Sequence, residues 1–372
     1  MRILIVSEIF APAVSGVAVT TARLAANLAE RGHIVQVLTA SQGDGSASIE
    51  TRNGYEIVRI ASLANPFRKG FRLTVMAGRA VKLTFDEFQP EIVHIQDPIS
   101  LSVRAVYEAK KRNIPVVATH HFLPDYVFSY LPDSVPVQNL ARFWLRRRLV
   151  RLYSKCVCLT VPTETVRRAV EGADLLTCIR VISNGVDTDR FAPGTEKTDP
   201  PTVLYVGRLD PEKNISTLLR ACAKLRQPYQ LRIIGGGNLI ESLREQAKDL
   251  PVTWVAPVET ESEILAAAYR EASIFCISSP HETESMVTLE AMAAGLPVLA
   301  ADGGALPELI NGNGYLLPAH QTTAWTSAME ELLADAGLRA EMGTISRQRS
   351  LERAIGLSVD AIEKLYSEVH LV

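Results

Sequence analysis

The chain has 372 residues, of which 47% are hydrophobic and 22% charged, and its formal net charge is -2. This length predicts about two globular domains, and the balanced charge gives no electrostatic reason to expect nucleic acid as a partner. The sequence lacks an apolar run of the roughly 20 residues that cross a membrane, and its first segment predicts a strand rather than a signal peptide. We therefore expect a cytoplasmic protein that is soluble, or peripheral on the inner face of the cytoplasmic membrane.

Strand and helix patterns alternate through the first half of the chain. Four short apolar runs predict buried parallel strands: RILIVS at 2–7, IVQVLTA at 34–40, IVHIQ at 92–96 and VVATHH at 116–121. Between the first two runs, alanines and leucines recur at helical spacing until Gly32 ends the pattern. This order predicts an α/β fold with a doubly wound, Rossmann-like domain.

A second array of the same kind follows a linker. Residues 184–201 are rich in Pro, Gly, Asp and Thr, which is typical of linkers. Five further apolar runs follow: TVLYVGR at 202–208, LRIIGGG at 231–237, VTWVAPV at 252–258, SIFCISS at 273–279 and LPVLAAD at 296–302. We predict two doubly wound domains, at 1–190 and 191–350, facing a central cleft, and a C-terminal helix at 351–372 that packs back on the first domain.

Glycines and cations at the predicted strand ends indicate a phosphate site. Gly16 lies where the loop after the first strand enters a helix N-terminus, which attracts anions, although a turn explains this glycine alone more simply. Arg208 ends a strand and Lys213 follows five residues later, so a guanidinium fork and an ammonium group could reach one diphosphate. A solvated pair of cations is the alternative. Gly235 begins a GGG run that permits close approach by a ligand.

Three glutamates stand in the apolar segment SPHETESMVTLEAMAAG at 279–295. Glu282 lies in a strand-to-helix loop, and Glu290 lies about two helical turns further on. The predicted helix begins with amides that favour an anion, those near Ser285, Met286 and Val287. A carboxylate accepts hydrogen bonds from sugar hydroxyls, whereas helix capping explains Glu282 or Glu284 simply and Glu290 poorly. The segment therefore predicts a phosphorylated ligand rich in hydroxyls.

Metal binding is the weaker interpretation of the acidic residues. Asp187 and Asp189 form a D-x-D motif, which binds a divalent cation in some enzymes, but here it lies in a turn of the predicted linker. Arg208 and Lys213 supply the positive charge that a metal would bring. The five cysteines have no metal-binding spacing. We expect neither a metal nor another cofactor.

Taken in order, these motifs resemble the family 4 retaining glycosyltransferases of the GT-B fold over nearly the whole chain. The motifs are Gly16 after the first strand, RGHIVQVLT, SNGVDTDRF, VGRLDPEKN, the E-x7-E pair, EAMAAGLPVLA and GGALPELI. The resemblance implies an acceptor-side first domain and a second domain that binds a nucleotide sugar. It also implies hexose transfer with retention, in which the departing phosphate takes the acceptor's proton.

The resemblance implies a catalytic set of Glu282, His121, Arg208 and Lys213. In the family, the residues that match Arg208 and Lys213 hold the donor diphosphate, and the one that matches Glu290 holds the nucleotide ribose. Those that match Glu282 and His121 lie against the donor sugar.

Two further assignments follow from the same resemblance. The family glycine that matches Gly16 approaches the diphosphate from the other domain. His120 would take the place of His121 if the alignment shifts by one residue.

The donor loop departs from the common family pattern of Glu followed by Gly-Phe-Gly. Here Glu282 is followed by Thr, Glu284, Ser285 and Met286, similar to glycolipid-making members such as diacylglycerol glucosyltransferases and sulfoquinovosyltransferases. Those members usually keep a glycine where Ser285 stands. The extra charge of Glu284 should disfavour an anionic donor sugar such as sulfoquinovose.

The resemblance leaves the substrates open. We expect a UDP-sugar such as UDP-glucose, with a GDP-sugar as the alternative, and a membrane lipid such as diacylglycerol as the acceptor, with a soluble or polysaccharide acceptor as the alternative. A non-catalytic nucleotide-sugar-binding protein would not need both Glu282 and His121. A phosphorylase would need a lysine for pyridoxal phosphate, and a dehydrogenase would carry G-x-G-x-x-G after the first strand.

A basic helical segment could contact an anionic membrane. Residues 134–163 contain no Asp or Glu, and helical spacing places one set of residues on a single side: Trp144, Arg147, Arg148, Arg151 and Lys155. Leu145, Leu149, Leu152 and Tyr153 share the other side, which we expect to pack on the domain. A solvated basic helix is the alternative to headgroup binding.

Overall fold

The computed structural model describes residues 1–13, 15–64, 72–75, 77–121, 135–171, 177–195 and 197–370. These residues form two compact units. Of these described residues, the first unit takes those up to Ser183 together with the C-terminal segment from Ser358, and the second takes Asn184–Leu357.

The first unit is built on a mostly parallel sheet. Its strands are β1 (Arg2–Val6), β2 (Ile34–Ala40), β3 (Ser48–Arg52), β4 (Tyr55–Ile60), β5 (Ser62–Ala64), β6 (Arg72–Thr74), β7 (Ile92–Ile95), β8 (Val116–Thr119), β9 (Cys158–Val161) and β10 (Cys178–Val181). The main sheet has the order β10-β9-β8-β7-β1-β2-β4-β3, and β5 pairs with β6 separately. Chain order reverses between β1 and β7, and such a reversal is where doubly wound sheets bind ligands.

Helices connect these parallel strands. They are α1 (Gly16–Glu30), α2 (Ala77–Phe88), α3 (Ser100–Lys111), α4 (Val135–Tyr153) and α5 (Glu164–Glu171). Helix α1 begins after Ser15, whose side chain accepts a hydrogen bond from the Ala18 amide. The strands β1, β7, β8 and β9 are almost wholly buried, as parallel strands covered by helices on both faces must be.

The second unit has a six-stranded parallel sheet. Its strands are β11 (Thr202–Val206), β12 (Gln230–Ile234), β13 (Val252–Val255), β14 (Ile274–Ile277), β15 (Val298–Ala301) and β16 (Gly314–Leu317). Their order is β13-β12-β11-β14-β15-β16, the 3-2-1-4-5-6 order of a Rossmann sheet. The reversal therefore lies between β11 and β14.

A short turn and a series of helices join these strands. A single 3-10 turn at Pro211–Lys213 precedes α6 (Ile215–Cys222), and the chain continues with α7 (Ile240–Gln246), α8 (Glu263–Glu271), α9 (Met286–Ala293), α10 (Leu306–Leu309), α11 (Thr322–Ala334) and α12 (Ala336–Leu351). The last helix is α13 (Ile355–His370). Two parallel-dominated sheets with intervening helices confirm the predicted pair of Rossmann-like domains.

Polar side chains join α13 to the sheet of the first unit. The buried His94 ring on β7 lies 2.6 Å from the Tyr366 hydroxyl through Nδ1 and 2.7 Å from the Thr119 hydroxyl through Nε2. His33 lies 2.7 Å from the Glu363 carboxylate. Burial, with His121 as a second cause, lowers the pKa of His94 to about 3. The ring is therefore neutral at physiological pH, which suits a buried hydrogen-bonding group.

Candidate active site

The predicted cations and carboxylates of the second unit converge where its sheet reverses direction. Arg208 and Lys213 follow β11, and Glu282 follows the neighbouring strand β14. Because parallel strands end at the same edge, these side chains share the crevice at the topological switch point. The amino-acid order alone separates Lys213 from Glu282 by 69 residues, and the sheet brings them together.

Lys213 and Glu282 form a close ion pair. Their Nζ and Oε1 atoms are 2.6 Å apart, and the two side chains are 16% and 11% exposed. Burial, the largest single influence, would raise the pKa of the Glu282 carboxyl, but Lys213, a hydrogen bond with Ser279 and attraction to Arg208 together outweigh it and lower the pKa overall. Glu282 is therefore ionised, and the Lys213 ammonium is neutralised locally by a carboxylate.

Arg208 is held by two carboxylates from its own loop. Its Nη1 lies 2.5 Å from Asp210 Oδ2, and its Nη2 lies 2.6 Å from Glu212 Oε1. Asp210 also accepts a hydrogen bond from the Asn238 amide at 3.0 Å, which ties this loop to the one after β12. Sequence analysis missed Asp210 and Glu212, although both stand between the two predicted cations.

The donor-loop residues lie at the start of α9. Ser285 immediately precedes the helix, and Met286 and Val287 are its first residues, where main-chain N–H groups lack intrahelical acceptors. Glu290 is 2% exposed on this helix, and its Oε2 accepts a hydrogen bond from the Tyr269 hydroxyl at 3.1 Å. Tyr269 was not predicted, because nothing in the sequence pattern distinguishes it from an ordinary core aromatic residue.

Two other acidic residues make main-chain contacts near residue 184. The Glu284 carboxylate, on a residue that is 1% exposed, accepts a hydrogen bond from the Asn184 amide at 2.8 Å. Asp187, of the D-x-D motif, accepts one from the Arg190 amide at 2.9 Å. Both carboxylates thereby fix the conformation of the chain around the predicted linker.

The protein's own backbone explains the glycine at position 235. Gly235 has φ +154°, and a Cβ there would lie 1.9 Å from the carbonyl oxygen of Gly207 at the end of β11. Gly237, two residues further on, is also restricted, because a Cβ there would lie 2.5 Å from the Leu209 carbonyl oxygen. Packing between the two strand ends requires glycine here, and the proposed ligand contact of Gly235 stays a prediction.

In the first unit, His121 and Gln96 meet at the ends of β8 and β7. His121 Nε2 lies 2.8 Å from Gln96 Oε1. Burial, with His120 as a second cause, lowers the pKa of His121 to about 3, so its imidazole is neutral and acts as a hydrogen-bonding group. The neighbouring His120 is 2% exposed and lies 2.9 Å from the Tyr153 hydroxyl.

The loop after β1 contains Gly16 and a buried carboxyl group. Gly16 is the first residue of α1, and a Cβ at this position would have no neighbour within 4 Å. Glu8 is 4% exposed, and its carboxylate accepts hydrogen bonds from Thr74, from Ser100 and from the Leu101 amide. Glu8 therefore fixes the loops beside the switch point of the first sheet, and no motif drew attention to it.

The predicted basic helix forms α4. Leu152 and Tyr153 are buried and Leu149 packs against the core, whereas Trp144 is 61% exposed. The apolar residues exposed with it are Val137, Leu140 and Phe143, and the exposed basic residues are Arg142, Arg146, Arg147, Arg148 and Arg151. Lys155 lies beyond the end of the helix, with its ammonium 5.1 Å from the centre of the Tyr107 ring. Among the residues that the structure describes, none of the helices has the length and apolar character to cross a membrane.

Two family models match this chain and together extend over most of it. Residues 14–190 match the model described as Glycosyltransferase Family 4. Residues 186–349 match the model described as Glycosyl transferases group 1. The two matches correspond to the two successive α/β arrays.

Characterised relatives extend over most of the chain as well. A D-inositol 3-phosphate glycosyltransferase of Corynebacterium jeikeium is 32% identical, over 69% of this chain and 67% of that protein. A GDP-mannose-dependent alpha-mannosyltransferase of Mycobacterium tuberculosis is 30% identical, over 86% of this chain and 84% of that protein. An alpha-monoglucosyldiacylglycerol synthase of Streptococcus pneumoniae is 26% identical, over 84% of this chain and 73% of that protein.

A solved structure has the same fold. Sucrose-phosphate synthase from Thermosynechococcus elongatus superposes with a TM-score of 0.83 over 98% of both chains, at 22% identity. At that identity the likeness establishes the fold, which is GT-B.

Proposed function

The chain belongs to the group 1, family 4 glycosyltransferases, and on that premise we propose that it moves a hexose from a nucleoside diphosphate sugar to an acceptor hydroxyl with retention at the anomeric carbon. One observation carries the proposal: Arg208, Lys213 and Glu282 meet at the switch point of the second sheet. A guanidinium and an ammonium group suit the donor's diphosphate, and the carboxylate suits its hydroxyls.

The proposed reaction uses the two cations as the leaving group departs. Negative charge grows on the diphosphate as the bond to the sugar breaks, and Arg208 and Lys213 stabilise that charge, with the first amides of α9. Glu282 and the neutral His121 orient the sugar by hydrogen bonds. The departing phosphate takes the acceptor's proton on the same face, which gives retention without a metal ion. Gly16 contributes to diphosphate binding as the family pattern implies.

Replacing both cations tests this proposal. Arg208→Ala with Lys213→Ala should abolish transfer of labelled hexose while the circular dichroism spectrum stays unchanged. Lys224→Ala with Arg226→Ala is the matched control, because it removes the same charge from exposed positions of the same unit. Full transfer by the first double variant would refute the proposed role of the site.

Stereochemistry and metal dependence need separate measurements. Nuclear magnetic resonance of the product formed from an α-linked donor should show an α-linkage, and a β-linkage would refute retention. Transfer should continue in excess EDTA, and loss of transfer that Mg²⁺ restores would refute metal independence.

We propose a UDP-sugar, UDP-glucose in particular, as the donor. The donor loop supports it through its similarity to glycolipid-making members, and the named donor of the mycobacterial relative makes GDP-mannose the alternative. Binding to the folded state raises the melting temperature, so a thermal-shift screen of UDP and GDP sugars decides between them. A shift with GDP-mannose alone would overturn the uridine assignment.

We propose that the acceptor is a lipid such as diacylglycerol, and that α4 rests on an anionic membrane. The name of the streptococcal relative supports a lipid acceptor. Exposed apolar side chains in the first half of α4, such as Trp144, precede exposed arginines in its second half. Aromatic residues favour the bilayer interface, and arginines favour anionic headgroups. Peripheral attachment at the inner face of the cytoplasmic membrane follows.

Flotation with liposomes tests the membrane proposal. The chain should float with vesicles that contain phosphatidylglycerol and stay behind with phosphatidylcholine alone. Replacing Arg147, Arg148 and Arg151 with Gln should abolish flotation. The matched control replaces three exposed cations of α3, Arg104, Lys110 and Lys111, and should float normally. Equal behaviour of the two triple variants would refute the role of α4, and absence of flotation by the unaltered chain would favour a soluble acceptor.

A further inference from the structure

Glu290 has a hydrogen-bond donor that the family motifs do not include. Its carboxylate lies on a residue that is 2% exposed, and a buried carboxylate is unfavourable unless hydrogen bonds compensate for lost water. The Tyr269 hydroxyl, on α8, donates to Glu290 Oε2 at 3.1 Å. The Tyr269 hydroxyl oxygen also lies 3.2 Å from the Val287 carbonyl oxygen. A phenol has one proton, and the charged acceptor attracts it more strongly than the neutral carbonyl does.

The ring that carries this hydroxyl is fixed by aromatic packing. Tyr269 is fully buried. The Phe191 ring meets it edge to face, with centroids 5.4 Å apart and an interplanar angle of 88°. The Phe275 ring lies on β14, with its centroid 6.0 Å away. Edge-to-face packing of this kind holds a ring in one orientation, so the hydroxyl stays directed at Glu290.

We infer that Tyr269 is a positioning residue for the nucleotide ribose; the inference rests on the proposed function, in which Glu290 accepts the ribose hydroxyls. A glutamate side chain has three rotatable bonds, and its carboxylate must be ordered before it can accept from a diol. Tyr269 orders it in advance, so less conformational freedom is lost when the nucleotide binds. Phe191 and Phe275 maintain this order by packing on the ring.

The distinguishing measurement is the preference for ribose over deoxyribose. Isothermal titration calorimetry should show that the unaltered chain binds uridine diphosphate about tenfold tighter than 2′-deoxyuridine diphosphate, the effect of one hydrogen bond to a charged group. Tyr269→Phe keeps the ring and removes one oxygen atom. It should weaken uridine diphosphate binding about fivefold and leave the deoxy form nearly unchanged, so that the preference falls to about twofold. Guanosine diphosphate and its 2′-deoxy form are titrated in parallel.

Tyr229→Phe is the matched control. It removes the same atom from another buried tyrosine of the same unit, whose hydroxyl donates to the Cys222 carbonyl at 3.0 Å. This variant should keep the full ribose preference. If Tyr269→Phe also keeps it, or weakens ribose and deoxyribose nucleotides equally, the inference is overturned, because a merely structural tyrosine would behave in that way.

Glu290→Gln separates the inference from its premise. If the unaltered chain prefers ribose and Glu290→Gln loses that preference, the premise holds and the result with Tyr269→Phe decides the inference. If neither the unaltered chain nor Glu290→Gln discriminates between the two sugars, the ribose role of Glu290 is wrong, and the inference is wrong with it.

Discussion

The backbone at Ser285 offers a sharp test of how the donor loop is built. Ser285 has φ +65°, in the left-handed region, immediately before α9, and it is 6% exposed. A residue with a side chain is less stable in this region by about 1–2 kcal/mol, a penalty that glycine escapes. The Ser285 hydroxyl lies 2.8 Å from the Thr288 hydroxyl, a hydrogen bond that contributes about 1 kcal/mol.

These terms predict an inverted order of stability for glycine and alanine. Ser285→Ala keeps the backbone strain and loses the hydrogen bond, so the free energy of unfolding should fall by about 1 kcal/mol. Ser285→Gly also loses the bond and gains about 0.5–1 kcal/mol of unfolded-state freedom, but it relieves the strain. Its free energy of unfolding should therefore stay close to that of the unaltered chain and exceed that of the alanine variant by about 1 kcal/mol.

Thermal unfolding measures this order directly, because about 1 kcal/mol moves the melting temperature by roughly 2–4 °C in a unit of this size. Ser242 is the control, since it is exposed within α7. There the alanine variant should be more stable than the glycine variant by up to about 1 kcal/mol, because glycine has the lower helix propensity. If the alanine variant is also the more stable one at position 285, left-handed strain does not act at this site and the reasoning is refuted.

Three further predictions concern the buried His94, the glycine at position 304 and Glu282. Burial and His121 lower the pKa of His94 from 6.5 to about 3. Between these two pH values the unfolded chain binds a proton that the folded chain does not. As the pH falls from 6.5 to about 3, the free energy of unfolding should therefore fall by up to about 1.4 kcal/mol per pH unit. Urea unfolding across this range should show that the free energy of unfolding of His94→Gln depends less steeply on pH. An unchanged dependence would contradict the lowered pKa of His94. Gly304→Ala, at φ +56°, would place a Cβ 2.4 Å from the Glu282 carbonyl oxygen and should weaken uridine diphosphate binding by about tenfold or more in calorimetry. Gly312→Ala, at φ +78° but with its nearest neighbour 3.5 Å away, should leave binding unchanged. Glu282→Gln should bind uridine diphosphate about threefold to tenfold tighter while transferring less hexose, because Lys213 loses its competing carboxylate, and unchanged or weaker binding would refute that competition.

Much of the strand order follows from apolar runs, and the omissions have physical causes. Each of the nine predicted runs coincides with a strand of the two sheets. The β3–β4 hairpin was missed because β3 is almost wholly exposed and so lacks the apolar pattern. A signal for it was present, however. Asn53 and Gly54 both have positive φ, as a two-residue hairpin turn requires, and Asn-Gly is the preferred pair for that turn.

The residues of the candidate site are easier to identify from the sequence than their partners. Arg208, Lys213 and Glu282 stand out because charge at the end of a buried strand is conspicuous. Asp210 and Glu212 look like ordinary loop acids, and only the folded chain shows that they neutralise Arg208. Tyr269 contacts Glu290 across 21 residues, a pairing that no local pattern specifies.

The ion pairs change how donor capture should be understood. Two cations, Arg208 and Lys213, contact three carboxylates, those of Asp210, Glu212 and Glu282, so the group carries no excess positive charge to attract a nucleotide from a distance. The carboxylates do hold both cations at the strand ends before any donor arrives, which lowers the cost of ordering them. In the proposed function, the donor diphosphate must then displace carboxylates that already contact these cations. In the proposed function, the net affinity for the diphosphate is the small difference between two sets of charge-assisted hydrogen bonds, and we expect this exchange to let the product leave after the sugar has been transferred.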